Sequence, residues 1–585
     1  MSLPPRSTSR PRCRAERARI RLHSISGALG AVVALLATVA CKSDSTSPPV
    51  TDECTTGGAT TMAVGAVTSP LTGTSLCASG GAEYVLIPFN SDTAAAKVSF
   101  DVTATGVGTV GPPLSVLPAA AGSAGSAQLS ISPAVGRNPA FEARLRAREA
   151  ALAPLIPAAR RRAALRDQRS AASRAVIPSV ITVGQRLELN TNSNDACANP
   201  TIRIGRAVAV TNKSVVVADT TNPPNGFSDA DYQSIAETFD NVVDPLMTAN
   251  FGAPADIDRN SRILLFFTRS VNELTPDDPD SDSYVGGFFF GRDLFPTTTT
   301  QQAEGCASSN FGEMFYLLVP DPTGIINGNT FSTAEVREIA VSIVAHEYQH
   351  LINASRRMYV STTAEDFEET WLNEGLSHVA EELMFYADAQ KQPRQDLNQQ
   401  SFSGNPIAVD AFNSHAGANF ARFAEFLEKP ADNSPYGDND SLATRGATWS
   451  FLRYAVDRKN TVDRNLWFQL VNSVNTGMAN LQEVFGPDLT GVFRDWSTAA
   501  IADNLPGVAG RYQQPSWNFR SIYAAIQAPS YPLATVSLTA GTPRNVQIVG
   551  GGSAYLRFAV PAGGAGEVTW GTVPATMQMT LMRTR

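Results

Sequence analysis

Two histidines separated by three residues form the strongest chemical signal in the chain. They occur in the string His346-Glu-Tyr-Gln-His350. On a helix, residues four positions apart share one face, so both imidazoles can present a nitrogen to a single Zn²⁺ ion at ~2.0–2.1 Å. Glu347 follows the first histidine, about 100° around the helix, where its carboxylate can reach a water on that metal. The string therefore indicates a metal site with a catalytic carboxylate beside it.

A catalytic zinc ion needs a third protein ligand and an open coordination position. The best candidate is Glu374, which lies 24 positions after His350 in the string Trp371-Leu-Asn-Glu-Gly-Leu-Ser-His378 on a second predicted helix. His378 shares a helix face with Glu374. It is interpreted as a residue that hydrogen-bonds to a metal ligand, as a structural residue or as an alternative metal ligand. Glu381 is the alternative partner that would orient the first histidine.

Together the two strings resemble the gluzincin metallopeptidases, in which His-Glu-x-x-His is followed by Asn-Glu-Gly on a helix. Residues 346–353 and 371–376 are similar to the hyicolysin-type members of that group. The resemblance extends over about residues 180–505. It implies a zinc endopeptidase in which Glu347 activates the zinc-bound water and three residues hold Zn²⁺, namely His346, His350 and Glu374.

The sequence departs from thermolysin-like members of the group in two ways. The interval from His350 to Glu374 is longer, and His378 stands where those enzymes have an aspartate that orients the first zinc histidine. Such enzymes also place a tyrosine or histidine donor against the oxyanion of the reaction. The downstream residues available for that role are His415, Tyr436 and Tyr454, and no local pattern selects one of them.

The helix that must carry the two histidines can be predicted from its start and its periodicity. Ser332 followed by Glu335 has the spacing of a capping box, which marks a helix N-terminus. Ile339 and Ile343 then fall on the same stripe as the two histidines. The spacing therefore predicts one continuous helix that begins after Ser332.

Strand-like segments precede this helix, and helical segments follow it to about residue 505. Apolar runs at 263–268, 287–290 and 314–319 predict strands, and Ser228 with Asp231 predicts the cap of an earlier helix. This order predicts an α+β fold, specifically a zincin-like metallopeptidase domain flanked by small all-β modules. Residues 314–319 are expected to form either an edge strand that pairs with an extended substrate or an ordinary core strand.

Composition divides the chain into six predicted segments. They are a signal peptide (1–40), a lipoprotein tether (41–50), an N-terminal β-sandwich module (51–135), an Arg-rich helical linker or prosegment (136–178), the zinc metallopeptidase domain (179–530) and a C-terminal β module (531–585). Residues 137–174 contain ten arginines and three acids. This stretch is interpreted either as an exposed prosegment that is cleavable at Arg160–Arg162 or as a solvated helical hairpin.

The first 41 residues predict export. Seven arginines precede an apolar stretch over residues 27–40, which is the pattern of a secretory signal. Cys41 follows directly, as in a lipobox, so the expected location is an outer-surface or periplasm-facing lipoprotein, or otherwise the secreted fraction. In an oxidising compartment the four remaining cysteines predict two disulfides, and among three pairings Cys54–Cys77 with Cys197–Cys306 is favoured.

The composition of the chain limits its partners. The 585 residues carry a formal net charge of −8, which argues against a nucleic acid held by a broad basic face. A membrane contact is expected only through a lipid on Cys41, and the oligomeric state is not predictable. Three acidic loops, at 256–261, 277–282 and 438–440, are candidates for structural Ca²⁺ or are solvated loops.

The expected function is an exported zinc-dependent endopeptidase that acts on protein or peptide substrates. One alternative is a zinc aminopeptidase, because Asn373-Glu-Gly also occurs in those enzymes. Aminopeptidases hold the substrate amine with a Gly-x-Met-Glu-Asn strand, whereas this chain has Gly312-Glu-Met-Phe-Tyr. The other alternative is a surface binding or adhesion lipoprotein that carries an inactive peptidase fold.

Overall fold

The computed structural model of the chain describes most of the sequence after residue 58. The described residues are 54, 59–94, 96–112, 129–131, 138–152, 177–277, 283–298, 305–361, 363–437, 440–526 and 531–585. The predicted signal and tether at 1–50, connector residues 153–176, acidic residues 278–282 and residues 438–439 lie outside this set.

The strands within the described residues belong to three sheets. In chain order they are β1 Val67–Thr68, β2 Ser75–Ser79, β3 Ala82–Asn90, β4 Val98–Thr105, β5 Arg186–Asn190, β6 Ile202–Val210, β7 Ser214–Asp219, β8 Ile263–Phe267, β9 Gly287–Phe288, β10 Met314–Leu317, β11 Val536–Ser537, β12 Arg544–Ile548, β13 Leu556–Val560, β14 Ala565–Thr569 and β15 Met577–Arg583. The sheets have the strand orders β5-β6-β7-β8-β10-β9, β1-β15-β3-β13-β11 and β12-β4-β14-β2.

Helices make up most of the described chain between β10 and β11. The α-helices are α1 Pro139–Leu152, α2 Asp229–Thr238, α3 Asp244–Phe251, α4 Arg269–Asn272, α5 Thr333–Ser355, α6 Thr370–Asp388, α7 Gln399–Phe402, α8 Pro406–Ala411, α9 Gly417–Glu428, α10 Leu442–Asp457, α11 Asp463–Asn472, α12 Gly477–Phe485, α13 Leu489–Ala502 and α14 Phe519–Ile526. Shorter π-helical segments occur at Phe239–Val243, Arg356–Val360 and Phe412–Ala416, and 3₁₀ turns occur at Gly291–Leu294 and Gly510–Tyr512.

The six-stranded sheet supports the helices that carry the candidate site. Its central strands β7 and β8 run parallel to each other. Both are buried along their whole length, as is usual for parallel strands in a sheet that is covered on both faces. β10 pairs in parallel with β8 on one side and antiparallel with β9 on the other. The residues predicted as a possible edge strand are therefore interior, and the shorter β9 forms that edge of the sheet.

The predicted helix starts are confirmed. Ser332 accepts a hydrogen bond from the backbone N–H of Glu335, and the Glu335 side chain reaches back to the N-cap, so a capping box starts α5. Ser228 and Asp231 start α2 in the same way. The mixed strands and helices are compatible with the predicted α+β class.

The strands near the two ends of the chain form one shared β-sandwich. β3 pairs with β13 and β15, while β4 pairs with β12 and β14. In the described sheets, the strands β1 to β4 pair only with strands that follow residue 535. The expectation of two separate β modules, 51–135 and 531–585, is thus wrong, because each segment supplies the hydrogen-bond partners that the other lacks.

Two disulfides lie within the described chain, and the favoured pairing of the cysteines is confirmed. Cys54 is bonded to Cys77 in β2, and Cys197 is bonded to Cys306. The second bond links the connection between β5 and β6 to the segment before β10. Within the described residues, no helix has both the length and the apolar character needed to cross a membrane.

Candidate metal and catalytic site

Helices α5 and α6 bring the two sequence strings together. α5 carries the histidines in its second half, and α6 carries Glu374 in its first half. The side chains of His346, His350 and Glu374 have no exposed surface. A buried set of two imidazoles and one carboxylate is unusual without pairing or a metal, since burial penalises unpaired polar groups.

The donor atoms of these residues converge on one point. Nε2 of His346 lies 3.1 Å from Nε2 of His350, and each nitrogen lies 3.5 Å from an oxygen of Glu374. A tetrahedral zinc ion with ligands at ~2.0–2.1 Å holds neighbouring ligand atoms roughly 3.3 Å apart. The spacing and the donor types therefore fit Zn²⁺, and these residues are one of the groups that could hold a metal.

Both histidines are oriented by a second hydrogen bond. Nδ1 of His346 lies 2.8 Å from Oε1 of Glu381, and Nδ1 of His350 lies 3.1 Å from Oγ of Ser377. Because the Ser377 hydroxyl donates to Gln349, it accepts from His350. With Nδ1 donating in both rings, Nε2 keeps its lone pair for a metal.

His378 is linked to the first histidine through Glu381, and the rings of His378 and His346 lie 4.9 Å apart. Its Nδ1 lies 3.1 Å from Oε2 of Glu381, while Oε1 of the same carboxylate faces His346. Of the two candidates for orienting His346, the structure places Glu381 in direct contact. His378, His346 and Glu381 also lie close enough together to form a second potential ligand group.

Glu347 is held beside the site by the edge of the central sheet. Its Oε2 accepts a hydrogen bond from the backbone N–H of Phe289 at 2.9 Å, just after β9. The side chain is buried, with 1% of its surface exposed. This contact fixes the carboxylate close to the edge strand, on the residue that follows the candidate ligand His346.

Arg146 and Arg445, which no sequence motif marks, neutralise the charge of Glu374. Nε of Arg146 lies 3.2 Å from Oε1 of Glu374, and a terminal nitrogen of Arg445 lies 2.9 Å from Oε2. Burial alone would raise the pKa of Glu374, but Arg445, His350, His346 and Arg146 hold it well below its usual range. Glu374 is therefore an anion, as a metal ligand must be.

Arg445 is itself fixed by Asp440, whose two carboxylate oxygens accept bonds of 2.8 and 2.7 Å. This bidentate pair gives Asp440 a structural partner in place of the proposed calcium role. Asp440 is the one residue of the predicted 438–440 loop within the described set.

The glycine of the Asn-Glu-Gly string has a packing role. A Cβ added at Gly375 would lie 2.4 Å from Cγ2 of Thr448 on α10. The missing side chain lets α10 approach α6 closely enough for Arg445 to reach Glu374. Asn373 accepts a hydrogen bond from Asn353 of α5 at 3.1 Å, which ties the two site helices together.

The residues proposed as oxyanion donors bond elsewhere. His415 lies 2.9 Å from Asp388, Tyr436 donates to the carbonyl of Asp92 and Tyr454 donates to that of Arg511. Since the described contacts of these three polar groups lie outside the site, the structure gives none of them that role.

A second group of carboxylates lies at the start of β8 and β10. Asp256 accepts bonds from Ser261, Asp258 accepts bonds from Asn260, and Glu313 joins them. Burial raises the pKa of Asp258 to about 7. These residues could hold a cation, but no further observation supports the predicted Ca²⁺ there.

Two histidines on one helix and an acid on a neighbouring helix, with a buried glutamate next to the first histidine, are the arrangement of a metal-dependent hydrolase site. No protein-family model matches the chain. Over 253 residues the chain is 28% identical to the neutral metalloprotease ShpI of Staphylococcus hyicus. The match covers 42% of this chain, which spans about half (51%) of the relative. The similarity supports a relationship to metalloproteases.

Proposed function

We propose that this chain is an exported zinc-dependent endopeptidase of the hyicolysin-type gluzincins. The observation that carries the proposal is the spacing of the His346, His350 and Glu374 donor atoms, 3.1–3.5 Å apart, which fits one tetrahedral zinc ion. The similarity to a metalloprotease supports the same class of reaction.

The residues of the site have separate tasks in this proposal. His346, His350 and Glu374 would hold Zn²⁺, which supplies Lewis-acid polarisation of the scissile carbonyl and lowers the pKa of water. Glu347 takes a proton from the attacking water and delivers it to the leaving amine. Its hydrogen bond from Phe289 keeps the carboxylate directed at the edge of the sheet where a peptide would lie.

The substrate is proposed to be an extended peptide that runs along β9. Among the described strands, β9 forms the edge of the sheet on the Glu347 side, and such an edge is where an extended peptide adds to a sheet. The backbone N–H of Phe289 links this edge to the catalytic carboxylate.

Export is part of the proposal because the two disulfides fit an oxidising compartment. The signal over residues 1–40 and the lipid on Cys41 stay predictions. Mass spectrometry of protein isolated from its host would give the mature N-terminus, and an unprocessed Met1 would contradict export.

The proposed reaction is tested with Glu347→Gln. We expect the variant to bind one zinc ion per chain like the wild type and to lose at least about 100-fold in hydrolysis of an unfolded protein, because only the proton transfer is removed. Full activity in the variant, or wild-type protein without stoichiometric zinc, would refute the mechanism.

Two further measurements separate the alternatives. Faster cleavage of free-amine peptides than of N-blocked peptides would indicate an aminopeptidase. Proteolysis that a chelator abolishes and zinc restores would exclude a binding protein with an inactive fold.

A further inference from the structure

Helix α1, Pro139–Leu152, lies directly over the candidate site. Phe141, Leu145 and Leu152 are buried, and the ring of Phe141 meets that of Phe288 in β9 edge to face at 5.4 Å. The backbone N–H of Asn138, just before the helix, donates to Tyr284. The Arg-rich segment is therefore packed into the protein along α1, in contrast to the solvated hairpin considered from the sequence.

The polar face of α1 contacts the site itself. Arg146 reaches Glu374 at 3.2 Å and is balanced on its own helix by Glu149 at 2.5 Å and Glu142 at 3.9 Å. Glu149 in turn accepts a hydrogen bond of 2.6 Å from the backbone N–H of Gly291. α1 thus bonds both to a candidate metal ligand and to the backbone just beyond the edge strand.

These contacts occupy the space that a substrate needs. A peptide that runs along β9 would have to lie beside Phe288 and Gly291. Helix α1 contacts both of these residues. The catalytic carboxylate and the three candidate ligands have at most 1% of their surface exposed beneath this helix. A protein substrate cannot reach Glu347 while α1 is in place.

Arg146 also opposes metal binding at Glu374. Its guanidinium is a fixed cation beside Oε1 of Glu374, the oxygen that lies 3.5 Å from Nε2 of His350. The guanidinium lies among the carboxylates of Glu149, Glu374 and Glu142, at 2.5, 3.2 and 3.9 Å. The cation therefore stays with Glu374 until the helix moves.

The strand pairing in the described sheets does not depend on α1. The strands before it, β1 to β4, are held by β11 to β15 and not by α1. A cavity of about 440 Å³ already separates Arg146 and Glu149 from Phe367, Trp371 and Asn373. The helix is anchored by the Arg146 ion pairs and the Glu149–Gly291 hydrogen bond at the site, and by the buried side chains of Phe141, Leu145 and Leu152.

We propose that α1 is an intramolecular inhibitor that blocks the candidate site through Arg146, and that hydrolysis requires its displacement. The proposal rests on the proposed endopeptidase function. It assigns the Arg-rich segment a role in regulating the site.

The test compares Arg146→Glu with Arg144→Glu in the full chain. Arg144 lies on the same helix and is exposed, so it gives the same change of charge away from the site. Arg146→Glu places a carboxylate against Glu142, Glu149 and Glu374, a buried repulsion that should release the helix. We expect at least about 10-fold faster hydrolysis and at least about 10-fold faster zinc uptake by the metal-free protein, with Arg144→Glu unchanged.

A peptide with the sequence of residues 138–152 should restore inhibition when it is added to the Arg146→Glu protein. The same peptide with Arg146→Glu should not. If circular dichroism shows that the Arg146→Glu protein does not fold, Arg146→Gln replaces it, because glutamine removes the positive charge without adding a buried anion. These additions separate release of the helix from general damage to the fold.

The outcomes separate the two proposals. Equal hydrolysis and equal zinc uptake in all three proteins, or a fall of both in Arg146→Glu, would overturn inhibition by α1; the second result would mean that Arg146 is needed to hold Glu374. Failure of the proposed function would instead leave every protein without hydrolysis, while the difference in zinc uptake between the two variants remained.

Discussion

Glu381→Gln tests how far the zinc affinity depends on the residue behind the first histidine. Oε1 of Glu381 lies 2.8 Å from Nδ1 of His346, and Oε2 lies 3.1 Å from Nδ1 of His378. Glutamine is isosteric but neutral, and only its oxygen can accept, so one of the two histidines would face an amide N–H₂. The substitution therefore removes a charge-assisted bond and leaves a second bond unsatisfied.

Loss of such a partner typically weakens metal binding 10- to 100-fold, which is about 1.4–2.7 kcal/mol. We expect a value near the upper end, because His346 and Glu381 are buried and water cannot replace the bond. The zinc dissociation constant is measured on the full chain by competition with a chelator of known affinity.

Glu382→Gln is the matched control. Glu382 is the next residue of α6, is fully buried, and accepts bonds from Arg453 at 2.9 Å and Trp517 at 2.6 Å, away from His346. Its loss should lower the free energy of unfolding and leave the zinc dissociation constant unchanged. Unchanged zinc affinity in Glu381→Gln, or an equal loss in both variants, would refute the role assigned to Glu381.

Two further predictions concern stability. Gly375→Ala should lower the free energy of unfolding by about 1–3 kcal/mol in a urea titration, because its Cβ would lie 2.4 Å from Thr448; an unchanged value would show that α6 and α10 separate freely. Burial raises the pKa of Asp503 to about 7, so its ionisation in the folded state opposes folding as the pH rises. Asp503→Asn should therefore match the wild type near pH 4 and exceed its free energy of unfolding by up to about 4 kcal/mol above pH 7; a difference that does not change with pH would contradict the shift.

Local signals in the sequence accounted for much of the candidate site. The capping box at Ser332 and the four-residue spacing of the histidines act within one or two helical turns, so they could be recognised before the fold was known. Glu374 was selected by its string rather than by geometry, and the structure brings it within 3.5 Å of both histidines.

The contacts of the site with distant segments had no such signal. Arg146 and Arg445 flank Glu374 from 228 positions before it and 71 positions after it, and neither lies in a recognisable motif. Whether His378 or Glu381 orients His346 depends on the direction of their side chains between two packed helices, α5 and α6. Likewise, alternating apolar residues predicted strands at both ends of the chain but could not show that they pair with one another.

By itself, the sequence determined which residues could bind a metal and which helices would carry them, because helical periodicity and capping depend on neighbours in the chain. Only the tertiary structure decided that the donor atoms of α5 and α6 meet, that β9 rather than β10 is the edge, and that α1 covers the site. The physical reason is that strand order and helix packing are set by long-range burial and hydrogen bonding, which leave no fixed spacing in the sequence.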